Sequence, residues 1–155
     1  MSDVIIAIGR VLIAAIFIAA GLGKLLDIDA AKTFIAARPV PGAVEWLTEG
    51  SYLTALAWTA GIVELLAGLM VALGFGVRIA ALVLIVFSAL TVYFVHDFWT
   101  MTGQARAAAS VQTLMNLSII GALLMLVGAG AGPYSIGPNG ALGIQRRDPW
   151  DRDDF

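Results

Sequence analysis

The feature that most constrains this chain is a succession of four apolar stretches, about Val4–Leu26, Thr54–Phe75, Ile79–Phe98 and Val111–Ala131. Each is about 20 residues long, the length at which an α-helix crosses roughly 30 Å of hydrocarbon. From Gly50 to Ala131 the formal charges are Glu64, Arg78, Asp97 and Arg106. A membrane β-barrel would instead alternate apolar with polar lumen positions. Composition agrees with helices in lipid, because 60% of the 155 residues are hydrophobic and 13% are charged. A soluble domain carries about 25% charged residues, and a chain this short has too little interior to hide so much apolar surface from water. The expected fold is an all-α membrane protein, a four-transmembrane-helix bundle running up-down-up-down. Two short connections force antiparallel neighbours. Residues 1–132 form this domain and 133–155 a polar C-terminal tail.

Several function classes fall away on residue types alone. Low charge and high hydrophobicity exclude a disordered chain. The absence of Cys excludes a disulfide scaffold, a zinc finger and a thiol redox enzyme. With net charge −2 and no basic cluster larger than Arg146-Arg147, nucleic acid is not a partner. His96 is the sole histidine, so no metal centre or bis-histidine haem is expected. The start, Met-Ser-Asp, lacks the positive n-region of a signal peptide, and the first apolar run is too long for an h-region. It reads as a retained span.

The connection from Asp27 to Leu53 opens with AAKTFIAAR, a candidate short interfacial helix, and breaks at Pro39 and Pro41, which lack the N–H a helix needs. GFGVR at 74–78 reads as a tight turn and TMTGQARAAAS at 100–110 as a short linker. With cytoplasmic termini, Arg10, Arg78, Arg146, Arg147 and Arg152 lie on that side and Lys24, Lys32, Arg38 and Arg106 on the other. Five against four is too small a bias for the positive-inside rule to decide.

Polar groups inside spans are costly, about 2.5–3.5 kcal/mol for a central charge on insertion scales. Glu64 lies near the centre of the second span, on a stripe with Ala60, Gly68, Ala72 and Gly76 at every fourth position. Such small-residue stripes allow close helix packing, so Glu64 is expected to face the bundle. Arg10, Ala14, Phe17, Gly21 and Lys24 share one face of the first helix. Arg10 and Lys24 stand near opposite ends of that span. Snorkelling accounts for both of them, yet the shared small residues favour an inward direction. Gln112 and Asn116 share a face of the fourth helix, as i and i+4. His96-Asp97-Phe98-Trp99 closes the third helix, with Trp99 suited to anchor at the interface. Alternating helix directions bring Lys24, His96, Trp99, Gln112 and Asn116 to one membrane face, with Glu64 below them and Arg10 and Arg78 at the other. These polar residues are expected to converge in one pocket suited to an amphipathic ligand. Lys24 is expected to fall short of Glu64, leaving room for water or ligand. For each residue the bland alternative is packing or interfacial anchoring.

Taken together, GRVLIAAIFIAAGLGKLLD, AARPVPG, GIVELLAGLMVALGFGVRIAAL, HDFW and NLSIIGALLML resemble the DoxX family of small four-helix bacterial inner-membrane proteins. The resemblance covers nearly the whole chain. Met115 stands where the family motif often has a lysine before the asparagine. The resemblance implies a multi-pass inner-membrane protein with both termini cytoplasmic. A related DoxD type looks like the membrane subunit of a thiosulfate:quinone oxidoreductase, and other relatives are described as membrane partners of redox-defence proteins. The implied roles are a quinone-linked, redox-associated subunit or an accessory subunit of a membrane complex. The alternatives are a purely structural subunit and a small-solute transporter. No intrinsic cofactor is implied. A bound quinone, other membrane or redox proteins and a second copy of the chain are the candidate partners besides lipid.

Overall fold

The computed structural model describes residues 2–37, 50–132 and 134–136. Those residues form α1 (Ser2–Leu26), α2 (Ile28–Ala36), α3 (Gly50–Leu73), α4 (Val77–Val95) and α5 (Gly103–Ala129). Four of them, α1, α3, α4 and α5, are long and apolar enough to cross a membrane. The expected all-α, four-span architecture is therefore present. Pro39, Pro41 and the tail arginines Arg146, Arg147 and Arg152 lie outside the described residues.

The boundaries moved where local chemistry overrides hydropathy. The third span stops at Val95, one turn short of its apolar run, and His96 is its C-cap rather than a helical residue. The fourth helix begins at Gly103, inside the segment read as a linker. GQARAAAS is rich in Ala, the strongest helix former. The α3–α4 connection is tighter than a five-residue loop, since Arg78 already belongs to α4. Phe75 N–H donates to the Met70 carbonyl at 2.9 Å and Gly74 N–H to the Val71 carbonyl at 3.2 Å. That is a Schellman closure. It needs the positive φ of Gly74, and the reversal is completed at Gly76, also at positive φ.

The candidate interfacial helix is α2. Its N-cap, Asp27, accepts from Ala30 N–H at 2.9 Å, which satisfies one of the donors a helix start leaves open. On its exposed side Lys32 donates to Asp29 at 2.8 Å, holding the Asp29 carboxyl below the usual carboxylate range. Asp27→Ala removes the cap. The expected loss is about 1 kcal/mol, confined to α2, and hydrogen exchange of the Ala30–Lys32 amides reads it.

Between 17% and 33% of each span is buried inside the protein, so most of its Leu, Ile and Val side chains face lipid. The helices meet along small residues. A Cβ built on Gly21 would stand 2.6 Å from Leu65 N and 2.8 Å from Gly61 O. One on Gly68 would stand 3.0–3.2 Å from Phe17 and Ile18. The backbones of α1 and α3 therefore run antiparallel at the closest approach a helix pair allows. A second pair, α4 with α5, is tied where the Thr113 hydroxyl donates to the His96 carbonyl at 3.3 Å.

The buried apolar core is lopsided. Ala14, Phe17, Ala67, Val71, Val77, Ala80, Ala81, Leu84, Leu123 and Leu126 form one cluster, all in the half of the bundle nearest the Gly74–Gly76 turn. Buried positions in the other half are Ala57, Gly61, Glu64, Ser88, Ala109 and Thr113, which are small or polar.

Candidate functional site

The polar stripe of α1 points inward as its spacing predicts. Arg10, Ala14, Phe17 and Gly21 are buried, and Lys24 is half-buried. On α3 the stripe is different from the expected one. The buried positions are Ala57, Gly61, Glu64, Ala67, Gly68 and Val71, whereas Ala60 and Ala72 are half-buried and Gly76 is exposed and outside the helix. Steps of four rotate about 40° per repeat and spiral off a face. Alternating steps of four and three stay on it. Glu64 and Gly68 belong to both series and are buried as expected, Glu64 with 5% exposed.

Lys24 Nζ forms a salt bridge with Glu64 Oε2. The expectation that Lys24 would fall short is overturned. Helical side chains tilt toward the helix N-terminus, so Lys24 reaches back down α1 toward the interior. The same ammonium lies 6.0 Å from the Phe87 ring centroid on α4. Three helices thus meet at this cation. The Lys24 side chain remains 27% exposed against 7% for Glu64, so the pair has one open side. Phe87 carries no polar signal and escaped the sequence reading.

Height explains how the other candidates relate to the pair. Counting from the Gly74, Arg78 and Gly130 level, Glu64 stands roughly 15 Å up, Asn116 roughly 21 Å, and His96 and Gln112 roughly 27 Å, at 1.5 Å per residue. Glu64 is therefore near the midplane of a hydrocarbon layer of roughly 30 Å, and His96 and Gln112 are near its edge. Gln112, Asn116, Ile119, Leu123 and Leu126 share one face of α5. Leu123 and Leu126 are buried, Ile119 and Asn116 half-buried, and Gln112 exposed. The buried positions at this end of α5 are Ala109 and Thr113, and Thr113 lies about 100° round the helix from Gln112. The Asn116 amide donates to the Gln112 carbonyl at 3.0 Å, one turn back in its own helix. Asn116 is thus satisfied within α5 and not by the ion pair.

His96 is half-buried. Its N–H donates to the Thr91 and Val92 carbonyls, both at 3.3 Å. Trp99 is exposed in the turn that follows, with ring centroids 5.3 Å from Phe98 and 6.0 Å from Tyr93. Tyr93 also meets Phe94 edge-on. An aromatic group at this height is an interfacial belt.

At the opposite end Arg10 is 3% exposed. Its guanidinium donates to the carbonyls of Ala131 and Tyr134. Arg78 is exposed on the first turn of α4, beside Gly130. Among the described residues no group of acidic, His or Cys side chains has the arrangement of a metal site.

The chain matches the DoxX family over residues 5–97. It is similar to the inner membrane protein YphA of Escherichia coli K12, 29% identical over 133 residues, covering 86% of this chain and 88% of that protein. It is also similar to the inner membrane protein YqjF of the same strain, 29% identical over 136 residues, covering 88% and 92%. No solved structure matches it. The family match spans more than half of the chain, the two relatives match nearly end to end, and the four helices have the length and apolarity of spans: the chain belongs to the DoxX family and is a multi-pass inner-membrane protein.

Proposed function

We propose that this protein is an accessory membrane subunit of a quinone-linked redox system, and that the Lys24–Glu64 pair receives the quinone headgroup. The observation that carries the reading is the ion pair itself, which joins α1 to α3 near the midplane with the ammonium still partly open. Ionisable side chains at that depth are expensive and mark ligand or proton sites. The residues fit a quinone. Lys24 has donors free to meet a carbonyl oxygen, Phe87 offers an aromatic wall, and the exposed part of the Lys24 side chain leaves the pair open to a ligand. When bound, a quinone supplies two-electron redox chemistry. Lys24 orients its headgroup, the Glu64 carboxylate holds that ammonium in place, and the packed core excludes water from the other side. Electrons come from a partner protein. Both termini face the cytoplasm in this reading, so a periplasm-dependent reporter fused after Phe155 stays silent.

A second reading, a purely structural subunit, is favoured by the glycine seam of α1 and α3, for which the ion pair would be a clamp. Purification in mild detergent with quantification of bound quinone and co-purifying proteins separates the two. The protein is expected to carry quinone, and Lys24→Met to lower its occupancy about tenfold, the loss of one charge-assisted hydrogen bond. If the same proteins co-purify with no quinone, the structural reading replaces this one.

A further inference from the structure

The Arg10 end of the bundle holds a feature that the quinone reading does not use. Beyond α5 the chain turns back over the ends of three helices. The Gly130 N–H donates to the Leu126 carbonyl at 2.8 Å, and the Ile136 N–H to the Leu73 carbonyl at 3.1 Å, the last residue of α3. Between these anchors Ser135 is 2% exposed and its Cβ lies directly over Gly74. A Cβ on Gly132 would stand 3.1 Å from Ile6 Cγ2 of α1. Arg10 donates from below to the Ala131 and Tyr134 carbonyls.

This arginine is in an unusual electrostatic position. Neither of the ion pairs among the described residues involves it, and its Nε is buried without a partner among them. Among the described residues its hydrogen-bond acceptors are backbone carbonyls. The Ala131 and Tyr134 carbonyls lie beyond the end of α5, outside its hydrogen-bond ladder, so the guanidinium and the crossing segment satisfy one another. If the segment moves away, the buried guanidinium loses both of these acceptors, which favours the closed contact.

We propose that residues 131–132 and 134–136 act as a latch, held by Arg10, that seals this end of the bundle against water and leaves the Lys24–Glu64 pair open from the His96 end only. The latch covers the turn beside the apolar core, and Val71, fully buried, lies one turn beneath it. Its release opens a second route to the interior. The proposal stands whether or not the ligand is a quinone.

The chain contains no cysteine, so single introduced thiols report cleanly. Ser135→Cys reads the latch and Val71→Cys the space beneath it, each reacted with a water-soluble maleimide on the full-length protein in detergent. Both thiols are expected to be protected while Arg10 is present. Arg10→Ala is expected to speed labelling of both by about tenfold or more, the effect of losing a charge-assisted bond. Arg10→Lys, which keeps the charge but not the two-pronged reach, restores part of the protection. Should Arg10→Ala fail to fold, as judged by size-exclusion chromatography, Arg10→Gln, which keeps an amide donor but neither the charge nor the two-pronged reach, is expected to give the same pattern. Equal Ser135→Cys labelling with and without the arginine overturns the latch. Fast labelling at Ser135→Cys with Val71→Cys still protected overturns the seal.

Discussion

Replacing Glu64 by Ala is expected to destabilise the folded protein by about 3 kcal/mol, the low end of the cost of breaking a buried ion pair. The penalty comes from the partner left behind. Without its carboxylate, the Lys24 ammonium has lost its compensating charge near the bilayer midplane. Its side chain is 27% exposed, so it can turn toward the interface and recover part of the loss by snorkelling. Removing both charges has the opposite consequence. Lys24→Met combined with Glu64→Leu is expected to return stability to within about 1 kcal/mol of the parent or above it, since hydrophobic replacement of a buried pair is often neutral or better. Thermal unfolding in detergent reads both. The double variant then separates stability from function. A protein that is stable and assembled but empty of quinone points to a ligand site. One that keeps its ligand and its activity in the host membrane assigns the pair to packing alone.

Gly21→Ala is expected to cost about 1–3 kcal/mol, the range for overpacking a well-filled core. The added methyl meets the backbone of Leu65 and Gly61 at 2.6–3.0 Å, and backbone atoms cannot rotate aside as a side-chain tip can. The helices must part, and the ion pair one turn away is disturbed with them. Gly23→Ala, two residues on, is the control. Nothing lies within 4 Å of its Cβ, so the change is expected to gain up to about 1 kcal/mol from helix propensity. Opposite shifts in melting temperature at these two positions would locate the α1–α3 seam. Equal shifts would move it elsewhere.

The sequence by itself determined the number of spans, the all-helical class and the inward face of α1. Span length depends on local apolar composition and bilayer thickness, both readable along the chain. The Arg10–Lys24 stripe is periodic within one helix, so its face follows from helical geometry. Only the tertiary structure decided which polar groups meet. The Lys24–Glu64 contact depends on how far α1 and α3 slide past each other, which the backbone contacts at Gly21, Gly61 and Gly68 fix. A rule of strict fours on α3 found Glu64 and Gly68 but misplaced Ala60, Ala72 and Gly76, because steps of four drift round the helix. Gln112 has the spacing of an inward residue and is exposed, whereas Thr113 beside it is buried and bonds the His96 carbonyl, since the neighbouring helix decides which face of α5 is covered. Arg10 binds carbonyls more than a hundred residues away, and backbone acceptors have no signature in a sequence. Helix faces are set by nearest neighbours in the chain, whereas contacts between helices are set by their rotation and relative height, which no single segment encodes.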